Sequence, residues 1–389
     1  MRPNLTRRAA LASALALPAI GRAQGAALKI GMITTLSGPA GYLGADIRDG
    51  FMLAMPDGTL GGRPVQVVVE DDGLKPAQAK QTANRFFKTD GIRLFTGIVF
   101  SNVLEAVAPD LLDDGGIYVS PNAGPSSLAG KNCHANYYVV SWQNDTLHES
   151  AGQNANLLGH KKMFVLAPNY PAGKDAITGF KRFFKGEIVG ETYTRLDQTD
   201  FAPEMANIRA ANPDAVFQFH PGGLGIAFIR QYQQAGLVGK IPMVLAAPSL
   251  DNVILGAVGA SALGMDVSSH WNSDFDNAAN KKFVAAFVVK YNRLPTAYAS
   301  QSYDTALAIG AALQGAGANA ADPAAFRKAM LPANFQSVRG KFRFGPNQHP
   351  IQDWFGLRVE KAADGKLALV TKGKILSDHG DVYSRQCKL

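Results

Sequence analysis

Ser101 and Asn102 stand where this sequence is best equipped for chemistry. They follow an apolar strand, Arg93–Val99 with Phe100, and precede an amphipathic helix, Val103–Asp114. A hydroxyl and free backbone N–H groups at a helix start hold an anion without a buried cation. The same residue types also act as plain N-caps, and capping and binding can coexist at one helix start. A second run, Ala215–Phe219, ends at His220-Pro221-Gly222-Gly223 before the helix Leu224–Ala235. His220 has the groups to donate to a carboxylate or a phenol, or to serve the core as a structural histidine. Tyr42, Phe100, Trp142, Tyr170 and Trp271 fall in loops or at strand ends. Aromatic rings in a cleft suit flat apolar ligands, through stacking and large buried area.

Other chemistries find less support. Gly38-Pro39-Ala40-Gly41-Tyr42-Leu43-Gly44 lies between a strand and a helix. Its spacing is G-x-x-G-x-x-G rather than the dinucleotide fingerprint G-x-G-x-x-G, and Pro39 lies inside it. Gly222-Gly223-Leu224-Gly225 lacks the third glycine of that fingerprint. The sequence contains no G-x-S-x-G elbow and no H-E-x-x-H, and its seven histidines are scattered singly. An exported NAD-type enzyme is disfavoured, and nothing calls for a cofactor, metal or nucleotide.

The elements that position Ser101 repeat. Arg93–Val99, the helix, Gly115-Gly116, the strand Ile117–Val119 and Ser120-Pro121 make one βαβ unit. Ala215–Phe219, its helix, Gly236, the strand Ile241–Leu245 and Ala247-Pro248 make another. Right-handed crossovers make each a piece of parallel sheet, and open parallel sheets bind ligands beyond the carboxyl ends of their strands. Two facing edges would form a two-jawed cleft. Strands Leu28–Thr34, Val65–Val69, Met163–Ala167 and Glu187–Thr192 extend the alternation. Helical stripes lie at Ile47/Phe51/Ala54, at Ala79/Ala83/Phe86 after Pro76, and along Lys174–Phe184. Pro168–Gly173 reads as a loop, Asp200 as an N-cap, and Asn132–Glu149 as an irregular polar break. The chain is thus α/β, βαβαβ twice, with a seam near Ser141–Asp145 and about 365 residues, enough for two domains. The last third adds helices at Asn280–Tyr291 and Gln301–Leu313, a loop at Gly315–Asp322, and strands near Phe342–Phe344 and Trp354–Leu357.

Residues 1–24 read as an export signal. Arg2, Arg7 and Arg8 precede the apolar run Ala9–Ile20, and Gly21-Arg22-Ala23 offers a cleavage site. The run is about a dozen residues, short of the roughly 20 of a membrane span. Thr6-Arg7-Arg8-Ala9-Ala10-Leu11 resembles a twin-arginine signal, and the ordinary secretory route stays equally open. Formal net charge is +8, and it falls by four, to +4, when Arg2, Arg7, Arg8 and Arg22 are removed. With no Lys/Arg cluster, that balance gives no footprint for nucleic acid. Cys133 and Cys387 are the two cysteines. In an oxidising compartment such a pair reads as a disulfide rather than a metal or catalytic site.

With these residues in view, a family resemblance emerges. Lys29-Ile30-Gly31 with Leu36-Ser37-Gly38-Pro39 and Gly44 resembles the opening of periplasmic solute-binding proteins of the branched-chain amino acid type. Ser120-Pro121-Asn122-Ala123, Asn169-Tyr170, Asn212–Phe217 and Gln301-Ser302-Tyr303-Asp304 continue it in the same order. The resemblance implies two Rossmann-like lobes joined by three crossings that close on ligand, feeding an inner-membrane permease of an ABC importer. It places lobe 1 at 28–144 plus 273–350 and lobe 2 at 145–272 plus 351–389, in a monomer. It puts the ligand carboxylate at loops matching Ser101 and Ser120–Gly124, hence Ser101, Asn102, Asn122, Ala123 and Gly124, and an ammonium-binding acid at Asp145. Tyr170 matches a ligand-contacting loop, while Ser249 stands where amino-acid binders have Glu. A buried ammonium without its counter-charge is costly, so this departure argues against a standard α-amino acid. Cys133–Tyr137, Ser141–Asp145, Phe342–Phe344 and Pro350–Asp353 are similar to the subgroup that binds aromatic carboxylates.

Overall fold

A computed structural model describes residues 27–320, 322–362 and 364–389, so the expected export signal lies outside the described residues. The first half alternates β1 (Leu28–Thr34), α1 (Gly41–Leu53), β2 (Thr59–Leu60), β3 (Arg63–Asp71), α2 (Pro76–Lys88), β4 (Leu94–Thr96), α3 (Ser101–Asp113), β5 (Ile117–Ser120) and β6 (Tyr137–Val139). The alternation resumes with α4 (Asn144–Leu157), β7 (Lys162–Pro168), α5 (Pro171–Phe183), β8 (Glu187–Thr194), α6 (Ala202–Ala211), β9 (Ala215–Gln218), α7 (Gly223–Gln234), β10 (Met243–Ala246), α8 (Asn252–Val258) and β11 (Asp266–Ser269). Three helices follow, α9 (Ala278–Tyr291), α10 (Ala297–Ala316) and α11 (Pro323–Met330), then β12 (Phe342–Phe344), β13 (Pro350–Lys361) and β14 (Leu367–His379).

The strands form two sheets, ordered β2-β3-β1-β4-β5-β6 and β12-β13-β11-β10-β9-β7-β8, with β14 paired to β13. Both βαβ units read from the sequence are present, with β4 and β5 parallel and β9 and β10 parallel. Each sheet is covered on both faces, as parallel sheets require. On β7, Met163 and Val165 face a cluster with Phe180 of α5, whereas Phe164 and Leu166 face Met205, Phe228 and Ile254. The period-2 alternation of a strand thus divides one apolar run between two helix layers. After β11 the chain returns to the first sheet, where Ile309 and Phe326 pack with Ile30, Met32 and Phe51.

β12 straddles the two bodies. It pairs with β13 in the second sheet, while Phe342 and Phe344 pack on the first sheet's core, Phe344 edge-on to Tyr138.

The stretch expected to be an irregular break, Asn132–Glu149, contains β6 and the start of α4 instead. α4 is polar in composition yet buried along most of its length. Most of its polar groups find partners inside the protein, so the sequence lacks the apolar stripe that marks an ordinary buried helix. The expected loop at Pro168–Gly173 also shortens, because Pro171 begins α5, where proline's fixed φ suits the first helical turn. Asp200 sits one residue before the cap position of α6, and its carboxylate accepts from the Ala202 N–H at 2.9 Å.

Cys133 and Cys387 are joined by a disulfide with Cα atoms 5.6 Å apart, tying the C-terminal segment to the loop before β6.

Candidate functional site

The carboxyl ends of the strands of both sheets converge on one cavity. About 360 Å³ of space lies among its lining atoms, part of it open to solvent, and only about 20 Å³ of it admits the centre of a water-sized sphere. Val99, Phe100 and Ser101 come from beyond β4, and Asn122 and Ala123 from beyond β5. Tyr170 and Ala172 follow β7, Phe219 and Pro221 follow β9, and Pro248 follows β10. Trp142 comes from the connection into α4, Asn144, Leu147 and His148 from α4 itself, and Tyr298 from α10. Among the described residues, no Asp, Glu, Lys or Arg lines it.

One end presents hydrogen-bond donors that have no partner among the described residues. Phe100 takes the cap position of α3, in extended conformation and with no side-chain capping bond, so Ser101 and Asn102 open the helix rather than cap it. Their backbone N–H groups donate to nothing among the described residues, since the helix bonding begins with Val103 and Leu104 donating to the Phe100 carbonyl. The Ser101 hydroxyl is buried and accepts from Asn144 Nδ2 at 3.1 Å. That leaves its proton free to donate to an anion. Asn144 Nδ2 also donates to Asp175 at 2.9 Å. Burial, and then the charge of Asp145, push the Asp175 carboxyl up to about 6.

Asn122 is fixed from both sides: its Nδ2 donates to the Val99 carbonyl at 2.6 Å and its Oδ1 accepts from Gln301 at 2.7 Å. Gly124 holds the neighbouring loop tight, because a Cβ there would lie 2.1 Å from the Trp142 carbonyl oxygen. Gly124 itself is behind the lining.

The rest of the cavity is aromatic. Tyr170 stacks on Phe219 with centroids 6.3 Å apart and planes 9° apart, and lies 6.2 Å from Phe100. Trp142 meets Tyr298 edge-on at 6.2 Å. His148, one helical turn after Asn144, packs edge-on to Phe219 at 4.7 Å. With no charged neighbour, burial alone pushes its imidazole down to about 3, which keeps it neutral.

The sequence-predicted residues therefore separate. Phe100, Ser101, Asn122, Ala123 and Tyr170 line the cavity together. Asn102 lies one residue beyond it, half-buried, with its Oδ1 enclosed and without a partner.

Five candidates sit elsewhere. Asp145 turns away, held by Arg182 at 2.8 Å, Tyr383 at 2.8 Å and Gln143 at 3.1 Å. His220 is fully buried and both ring nitrogens are engaged, with Thr194 at 2.9 Å and Gln218 at 2.8 Å. Ser249 accepts from the His220 N–H and donates to the Gln218 carbonyl. Trp271 donates to Asn280 at 2.7 Å and borders a smaller recess with Asn252 and Thr296. Tyr42 donates to Asp251 at 2.8 Å, linking α1 to the cap of α8. Burial raises Asp251 to about 7 there.

Asn144, His148 and Tyr298 were not found from the sequence. The i, i+4 spacing of Asn144 and His148 was the available signal, concealed by the polar composition around it.

Comparison with known proteins agrees with this geometry. Residues 27–366 match the family described as periplasmic binding protein. A Leu/Ile/Val-binding protein homologue of Brucella melitensis is 29% identical over 354 residues, covering 87% of this chain and 89% of its own. A solute-binding protein of an ABC transporter from R. palustris, in complex with benzoate, superposes with a TM-score of 0.88 at 29% identity, covering 93% of this chain and 100% of that one. A second R. palustris protein, in complex with 4-hydroxybenzoate, gives 0.85 at 26% identity, covering 91% and 98%. Family and neighbours are binding proteins, not enzymes. With its two wound sheets meeting at a shared cavity, the chain belongs to the periplasmic binding protein family, in the type I fold.

Proposed function

We propose that this protein is the extracytoplasmic solute-binding component of an ABC importer and carries a small aromatic carboxylate between two closing lobes. The observation that carries the reading is the lining of the cavity. Phe100, Trp142, Tyr170, Phe219 and Tyr298 surround a space into which Ser101 and the start of α3 present donors, and no carboxylate lines it. Uncharged donors at a helix start suit a carboxylate, and the rings suit a flat apolar body. An α-amino acid would bring an ammonium with no counter-charge in the lining, which is unfavourable in a buried site. Relatives named for Leu, Ile and Val keep the amino-acid reading as the alternative.

In this reading the segments 28–144 with 273–350, and 145–272 with 351–389, act as two jaws. Ligand favours closure because both jaws touch it. The chain acts as a monomer, is exported with its first 24 residues removed, and docks on an inner-membrane permease.

Isothermal titration of the mature chain with benzoate and with leucine tests the reading. Benzoate binding with no leucine binding supports it. Leucine binding without benzoate binding overturns the aromatic assignment.

A further inference from the structure

The polar face of α4 holds one group that no feature of the fold uses. His148 is 1% exposed, lines the cavity and makes no hydrogen bond among the described residues. Its Nδ1 is fully enclosed without a partner. A buried polar group left unpaired is costly, so such an atom in a binding cavity marks a place for a ligand atom. Phe217 and Phe219 hold the ring edge-on, which fixes its plane.

His148 also lies one helical turn along α4 from the residue that touches Ser101. Asn144, which touches Ser101, lies four residues earlier on the same helix. Side chains at i and i+4 lie about 5–6 Å apart between Cβ atoms, close to the span of one benzene ring. A ring with its carboxylate at Ser101, laid along this face of α4, would carry its far edge toward His148.

We propose, building on the aromatic-acid reading above, that His148 selects acids bearing a hydroxyl on the ring carbon opposite the carboxylate. A neutral imidazole offers one acceptor and one donor, which matches a phenol. A bare C–H or a methyl at that carbon would leave the imidazole unpaired, and sites built to bond a hydroxyl reject analogues lacking it.

The experiment is calorimetric titration of the mature protein with benzoate, 4-hydroxybenzoate and 4-methylbenzoate, repeated on His148→Leu and His148→Gln, with melting curves confirming that each variant folds. In the native protein 4-hydroxybenzoate binds about tenfold more tightly than either of the others, the effect of about one net hydrogen bond. His148→Leu brings the three ligands within about twofold of one another, whereas His148→Gln retains most of the preference. Equal affinity of 4-hydroxybenzoate and 4-methylbenzoate in the native protein overturns the role of His148 and leaves the aromatic-acid reading standing. A hydroxyl preference that survives in folded His148→Leu does the same. Failure of all three acids to bind the native protein overturns both.

Discussion

Helix α4 presents two faces built from neighbouring residues. Asn144 and His148 line the cavity and are neutral; Asn144 bonds Ser101, Asp175 and Gly124, while His148 is left without a hydrogen-bond partner among the described residues. Asp145 and Glu149, one position later in each turn, face away and are saturated with charge partners. Arg182 bridges both acids, Tyr383 adds a bond to Asp145, and His379 pairs with Glu149. The contrast separates two uses of polarity in a buried helix. Charges that complete one another hold the helix in place, while neutral groups left incomplete are the ones available to a ligand. Asp145, which the family resemblance marks as an ammonium-binding acid, is here engaged by Arg182, Tyr383 and Gln143.

The largest expected effect comes from breaking the charged face. Arg182→Met strands two buried carboxylates, and unfolding by denaturant should show a loss of about 3–5 kcal/mol, with benzoate affinity of the folded protein unchanged. A loss of affinity as large as the loss of stability would show that the two faces are not separable. Cys387→Ser tests the same face from a distance, since the disulfide tethers the segment that brings Tyr383 to Asp145. A stability loss of about 2–5 kcal/mol is expected, again with little change in ligand binding.

On the neutral face the signs reverse. Ser101→Ala should weaken benzoate binding about ten- to a hundredfold, as for a hydrogen bond to a charged group, and shift the melting temperature of the unliganded protein by little. Unchanged affinity would remove Ser101 from the site. Tyr42→Phe deletes one hydrogen bond between α1 and the cap of α8, and should cost about 1 kcal/mol.

The subtlest test concerns Asp175, the carboxylate that touches the neutral face through Asn144. Its folded pKa is raised to about 6 by burial and by Asp145, above the ordinary 3.8. The protonated form is therefore favoured by the fold. Its contribution is full below about pH 4 and is lost as pH rises through about 6. Asp175→Asn should flatten the difference in stability between pH 4 and pH 7 relative to the native protein, measured by melting. An identical slope in both proteins would remove Asp175 as its source.

Much of the fold was visible in the sequence because strands and helices wrote their periods plainly. β1 falls on Leu28–Thr34 as read, and the two βαβ units stand where the apolar runs and glycine stops placed them. α4 was not visible, since a helix buried among polar partners has no apolar stripe. The candidate site was read best where function and local structure coincide. Ser101 opens a helix, so a chain-local signal pointed to it, whereas Tyr170, at the cap position of α5, was read through the family resemblance. His220 and Ser249 occupy strand ends too, yet they bond to each other and to Gln218 behind the lining.

The sequence by itself determined the α/β alternation and the strand ends that frame the cavity. Those properties depend on residues close together in the chain. Tertiary structure alone decided which polar groups remain unpaired. Asp145 is paired by Arg182 and Tyr383, 37 and 238 positions away, whereas His148 is left without a partner, and only the packing of distant segments settles such an outcome.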